Sequence, residues 1–155
     1  MPSVQCGFSD IPGGATAVES LVLWGPTITV DIGFDPNWTF PSATPPVPGK
    51  TGLNALVDTG ASESCIDSLL AAQLNLPIID KRMTAGAHGA KEVNVHLAQV
   101  FIPALNSAIW GAFAGVDLLA GGQLHSALIG RTFLQHCKMV YDGRTGTVEL
   151  TNSTP

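Results

Sequence analysis

Apolar and polar positions along the chain change period several times, and each change predicts an element. Thr27 to Phe34, reading TITVDIGF, alternates β-branched residues with others, the pattern of a strand. Five prolines follow between Pro36 and Pro48, which predicts a long connection with neither an interior strand nor a helix. LNALVDTG then returns as a strand that runs straight into Asp58. In SESCIDSLLAAQLNLP, Ile66, Leu69, Leu70 and Leu74 fall on one helical face, with Ser64 as the expected N-cap and Asn75 to Pro77 as the stop. KRMTAGAHGAKEVNVHLAQVFIP has a Gly-rich middle between strand-like arms and predicts a hairpin with its tip at Gly86 to Gly89.

The remainder reads the same way. Ser107 to Gly122 is apolar and rich in Gly and Ala, predicting one or two packed strands. SALIGR predicts a strand to Ile129 and a turn at Gly130, followed by a helical turn over Thr132 to His136. A closing hairpin turns through Asp142-Gly143 and Thr145-Gly146. Many short strands with turn signals and one short helix predict a mostly β domain. Residues 1–23 show little periodicity and read as an N-terminal extension to a domain spanning 24–155. A weak internal echo links ALVDTG with ALIGR, each an apolar strand that ends at a glycine.

Composition narrows the function. The chain has 155 residues, enough for one core without staples. Only 12 % are charged, about half the usual ~25 %, so the surface is either weakly solvated or partly hidden in a partner. With seven basic residues in no cluster and a net charge of −5, no nucleic-acid partner is expected. Cys6, Cys65 and Cys137 are odd in number and widely spaced, so no disulfide framework follows. No signal peptide and no apolar run long enough for a membrane span is found, and a cytoplasmic protein is expected. His88, His96, His125 and His136 lack metal-ligand spacing, so neither metal nor cofactor is expected, and the histidines read as structural or surface residues. Trp24, Trp38 and Trp110 are scattered and read as core or interface anchors. Gly-x-Ser-x-Gly is absent, so Ser62 and Ser64 do not form a serine-hydrolase elbow.

An apolar strand that ends in an acid suits either a plain Asp-Gly turn or a carboxylate held where water is scarce. Asp-Thr-Gly alone does not decide between them. Asp-Thr-Gly-Ala-Ser behind an apolar strand, followed by LNLP, the Gly-rich MTAGAHGAKEV, ALIGRTFL and MVYDGRTGTVEL, resembles the retropepsin-like aspartic proteases. The resemblance covers roughly Thr27 to Leu150, least well in the Pro-rich loop and in Pro103 to Gly122.

The resemblance implies a retropepsin-like acid protease fold, a closed or partly open β-barrel-like domain with one or two short helices, and a homodimeric endopeptidase acting on peptides. Acid–base hydrolysis needs two carboxylates that share a proton. The second glycine unit, Ile129-Gly130-Arg131, carries no acid, so a second copy must supply the other Asp58. By resemblance Asp58, Thr59 and Gly60 form the catalytic loop, with Thr59 locking the two loops across the axis. Ala61 lies at the substrate, and Gly86, Ala87, His88 and Gly89 form a flap over it. Two departures stand out: Ser62 replaces a usual acid, so Arg131 must pair with Glu63 or a backbone carbonyl, and His88 is polar at the flap tip. A catalytically silent dimerisation or peptide-binding module is the alternative, and a flap closed until a partner engages is a more distant one.

Overall fold

The computed structural model describes residues 1–86 and 89–152. In chain order its elements are β1 (Ser3–Gln5), α1 (Ala17–Trp24), β2 (Thr27–Gly33), β3 (Lys50–Val57) and β4 (Cys65–Asp67). They continue with α2 (Ser68–Gln73), β5 (Ile78–Gly86), β6 (Gly89–Ile102), a 3-10 turn (Pro103–Leu105) and β7 (Ser107–Val116). β8 (Ala127–Ile129), α3 (Arg131–Leu134), β9 (Cys137–Asp142) and β10 (Thr147–Asn152) complete the chain. The protein is mostly β, as its alternating segments predict.

Seven strands form one sheet in the order β2-β3-β8-β4-β7-β6-β5, and β2 also pairs with β6. That extra pairing, Asp31 to Phe101 through Gly33 to Gln99, closes the first six strands on themselves. Closure leaves those six strands no free edge, and β5 continues outward from β6 as the free arm of a hairpin. The strands turn alternate residues inward. Leu53, Ala55 and Val57 of β3 are buried between exposed or half-buried neighbours, and Ile28, Val30 and Ile32 of β2 do the same. Ile66, Val100, Ile102, Leu105 and Ile129 meet them in the core.

A smaller sheet, β1-β10-β9, is antiparallel throughout and adds Val148 and Leu150 to that core. Residues 1–23, set apart in the sequence as an extension, contribute β1, which pairs Ser3 with Thr151 and Gln5 with Glu149. They also contribute α1, where the Thr16 side chain caps the Glu19 N–H and Ala17 and Leu21 are buried. Period-based reading overlooks both because a three-residue strand and an eight-residue helix are too short to show a period. β10 receives α1 at Gly146, whose φ is +74°. A Cβ there would lie 2.4 Å from the Ala17 carbonyl carbon.

The expected helix from Ser64 begins later. Cys65 to Asp67 pair with both β7 and β8, so tertiary pairing takes Ile66 into a strand and leaves a six-residue helix. Asp67, not Ser64, is its N-cap, accepting from the Leu70 N–H at 3.1 Å. Leu69, read as core, is 59 % exposed. Ser107 to Gly122 supplies one strand, ending at Val116. The Pro-rich connection is gathered by Asp35, whose two carboxylate oxygens accept the N–H groups of Asn37 and Val47. Trp38 and Trp110 are not scattered: their rings meet edge to face at 6.0 Å, and Phe40 stacks on Trp110 at 4.4 Å.

His125 is buried, and its ring bonds Thr27 Oγ1 at 2.8 Å. Thr27 Oγ1 donates to the Gly25 carbonyl, so it accepts from His125 Nε2–H and leaves the buried Nδ1 with no partner among the described residues. Burial pushes the His125 pKa down. The unfolded chain therefore binds this proton more readily, and stability is complete above the ordinary histidine value and falls as pH drops through it. Urea midpoints measured from pH ~7.5 to ~5 should decline, and the decline should shrink in His125→Gln.

Gly146→Ala combines a left-handed backbone with a clash against α1 and should cost about 2 kcal/mol or more. A lower urea midpoint at unchanged m would show it.

Candidate active site

The site is built on one pairing. β3 and β8 run parallel, with Ala55 opposite Ala127, Leu56 opposite Leu128 and Val57 opposite Ile129. The two segments of the internal echo are thus neighbours in register, and their terminal loops emerge side by side. Asp58 leaves β3 with its N–H bonded to the Ile129 carbonyl at 2.9 Å. The chain then turns through Thr59 and Gly60 and comes back as β4, antiparallel to β8.

That turn is held at almost every residue. The Gly60 N–H donates to Asp58 Oδ1 at 2.8 Å, which orients the carboxylate. The Arg131 N–H donates to the Ala61 carbonyl at 2.9 Å and the Thr132 N–H to the Ser62 carbonyl at 3.0 Å. Arg131 Nη1 donates to the Thr59 carbonyl at 2.8 Å, so the backbone carbonyl takes the place of the missing acid at Ser62. Glu63, the other expected partner, turns away to Arg82 on β5 at 2.5 Å. Ser64 Oγ accepts the Gly130 N–H at 3.0 Å, a role its reading as a helix cap had overlooked.

Gly130 is where the two loops touch. A Cβ built there would lie 2.5 Å from both the carbonyl carbon and the oxygen of Glu63, and 3.0 Å from the Ala61 oxygen. No other residue type allows that approach.

Asp58 is half-buried, whereas Thr59, Gly60, Ser62 and Glu63 are exposed. The carboxylate sits at the rim of the core with its loop facing outward. Beside it, burial pushes the Cys65 thiol up to about 12, and the Asp58 charge pushes the same way. A protonated thiol is a poor nucleophile, so Cys65 offers no cysteine-type chemistry. Cys6, Cys65 and Cys137 are all free thiols.

The hairpin predicted at the Gly-rich segment is present, β5 against β6 with Gly86 opposite Gly89. Ala87 and His88, expected as flap residues, lie outside the described residues. Among the described residues no group of three or more His, Cys, Asp or Glu side chains is arranged to hold a metal ion. His96 bonds the Leu76 carbonyl through Nδ1 at 3.1 Å.

A buried acid went unnoticed in the sequence. Asp67, 1 % exposed, accepts from the Leu70, Leu118 and Leu119 N–H groups. It thereby ties α2 to the end of β7. An Asp immediately before SLLAAQ is a cap signal that could have marked it in place of Ser64.

Residues 46–133, which contain this whole arrangement, match the sequence profile of a family described as aspartyl protease. The chain belongs to that aspartyl protease family. Among solved structures this aspartyl protease is similar to EIAV protease complexed with the inhibitor HBY-793. The identity is 21 % and the TM-score 0.46, over 71 % of this chain and 85 % of that one. No curated protein matches the chain in sequence. No helix among the described residues is long and apolar enough to cross a membrane.

Gly130→Ala in this aspartyl protease would drive a methyl into the Glu63 backbone and displace the Asp58 loop. It should cost about 1–3 kcal/mol of stability, read as a lower denaturation midpoint at unchanged m.

Proposed function

We propose that the chain is an aspartic endopeptidase whose working form is a homodimer, with one Asp58 from each copy. One observation carries the reading: each chain offers a single Asp-Thr-Gly loop, rigidly held, with a half-buried carboxylate and exposed neighbours. A two-fold axis beside Thr59 and Gly60 would cover those residues and bring the two carboxylates together. The low charge of the chain fits a face that is covered.

In that dimer the two Asp58 side chains lie too close to ionise together, so they hold one proton between them. The ionised one takes a proton from a water placed between them, and the oxygen of that water attacks the scissile carbonyl. The protonated one hydrogen-bonds the carbonyl oxygen as negative charge develops there. A proton then passes to the departing amine nitrogen as the C–N bond breaks, and the dyad returns to its single shared proton. Thr59 braces the two loops against each other. The Gly60 N–H fixes the inner carboxylate oxygen. Ala61 and the hairpin of Gly86 to Gly89 bracket an extended peptide, bound in the manner of an added strand.

Because one proton is shared, activity should follow a bell-shaped pH profile whose two limbs belong to the pair. Asp58→Asn should lower cleavage of a diverse peptide mixture by about 10²–10⁴-fold or more, scored by mass spectrometry, while the dimer persists in sedimentation. Wild-type rates from that variant, or cleavage by a strictly monomeric chain, would overturn the dyad. Silence from both wild type and variant would favour a peptide-binding module on the same fold.

A further inference from the structure

Basic side chains are scarce in this protein, yet three of its seven, Lys81, Arg82 and Lys91, lie on the β5–β6 hairpin. The strand register sorts them by face. Arg82 pairs with Val93 and Thr84 with Lys91, so Arg82 and Lys91 share the face on which Val93 and Val95 are buried. Lys81 lies on the opposite face and reaches Glu92 of the same hairpin at 3.9 Å.

Both inward-facing cations end on carboxylates of the body. Arg82 meets Glu63 at 2.5 Å, from β5 to the Asp58 loop. The backbone of Glu63 is itself packed on Gly130, so its side chain reaches out from a fixed base. Lys91 meets Asp117, from β6 to the turn after β7. Asp117 also accepts from Ser68 Oγ at the start of α2, which steadies it. These hydrogen bonds from Lys91 and Ser68 hold the Asp117 carboxyl below its ordinary range, so it stays ionised in mildly acidic solution.

We propose that Arg82–Glu63 and Lys91–Asp117 form a two-point electrostatic latch that holds the hairpin down on the body, and that its release admits an extended peptide to Asp58. Beyond the β6–β7 ladder, which Val95 begins, each strand of the hairpin has among the described residues one ion pair to the body, and both must open for that arm to lift. Glu63, Arg82, Lys91 and Asp117 are positioning residues: they set how often the site is open, not the chemistry within it. Peptide admission rests on the reading of Asp58 as catalytic, whereas the latch itself does not.

All four side chains are partly exposed, so each pair is a weak and salt-sensitive attachment. A two-stranded hairpin lifted off its supporting face is marginally stable and frays, so hydrogen exchange of the β5–β6 amides, followed by mass spectrometry at low salt, reads the release. Glu63→Gln and Asp117→Asn should each speed exchange about two- to five-fold, and the double variant by about the product. Molar salt should bring the wild type close to the double variant, an arm that needs no substitution. Glu92→Gln, which breaks a pair inside the hairpin, should leave exchange unchanged, and Glu63→Lys combined with Arg82→Glu should restore the slow rate.

Peptide association is read on an Asp58→Asn background, where binding proceeds without cleavage. Its rate should rise by the same factors as exchange. Exchange that responds neither to salt nor to the double variant would overturn the latch. Faster exchange with no peptide binding by any variant would support the latch and remove the peptidase reading instead.

Discussion

The parallel pairing of β3 with β8 is the constraint on which the rest of this structure depends. Parallel neighbours in one sheet put their carboxyl ends on the same side, so the loops after Val57 and Ile129 must leave together and compete for the same space. The competition is resolved by the absence of a side chain at Gly130, which lets its backbone rest on Glu63 and Ala61. Once the loops touch, the hydrogen bonds follow. Arg131 and Thr132 donate their N–H groups to Ala61 and Ser62, the Arg131 guanidinium reaches Thr59, and Ser64 takes the Gly130 N–H. The Asp58 carboxylate is positioned by a loop that has almost no freedom left, which is what acid–base chemistry on a fixed geometry needs.

Barrel closure carries that rigidity outward. The β2–β6 pairing closes the strands around β3 and β8 and leaves β5 as the outer arm of a hairpin that extends from the closed part. The floor of the site is therefore built into the core, while the hairpin beside it is attached through β6 and a few polar contacts. A stiff floor and a lightly held arm come from the same topology.

Charge is scarce, and several of the charged residues have a visible structural job. Asp67 is buried and gathers three N–H groups, Asp35 gathers the Pro-rich connection, and Arg131 braces Thr59. Arg82 and Lys91 join the hairpin to the body. Thr59, Gly60 and Ser62 remain exposed around a half-buried acid, an arrangement that a covering partner would complete.

Local pattern alone located the long strands, the Pro-rich connection, the Gly-rich hairpin, the closing hairpin and the loop with Asp58, because alternation, proline and Asp-Gly turns act over a few residues. The family was also legible, since its motifs are contiguous in the chain. Short elements were not: β1, α1 and the β4 strand at Ile66 exist because distant strands pair with them or bury them, and Ile66 sits in a segment whose own pattern favours a helix. Partner choice was equally hidden. That Arg131 bonds Thr59, that Glu63 turns to Arg82, that Ser64 serves Gly130 and that Trp38 meets Trp110 depend on which residues the sheet brings within a few ångströms. The sequence by itself determined which residue types occupy the loop and the hairpin. Tertiary structure decided who faces whom, because long-range pairing, and not local preference, sets the distances over which hydrogen bonds and charges act.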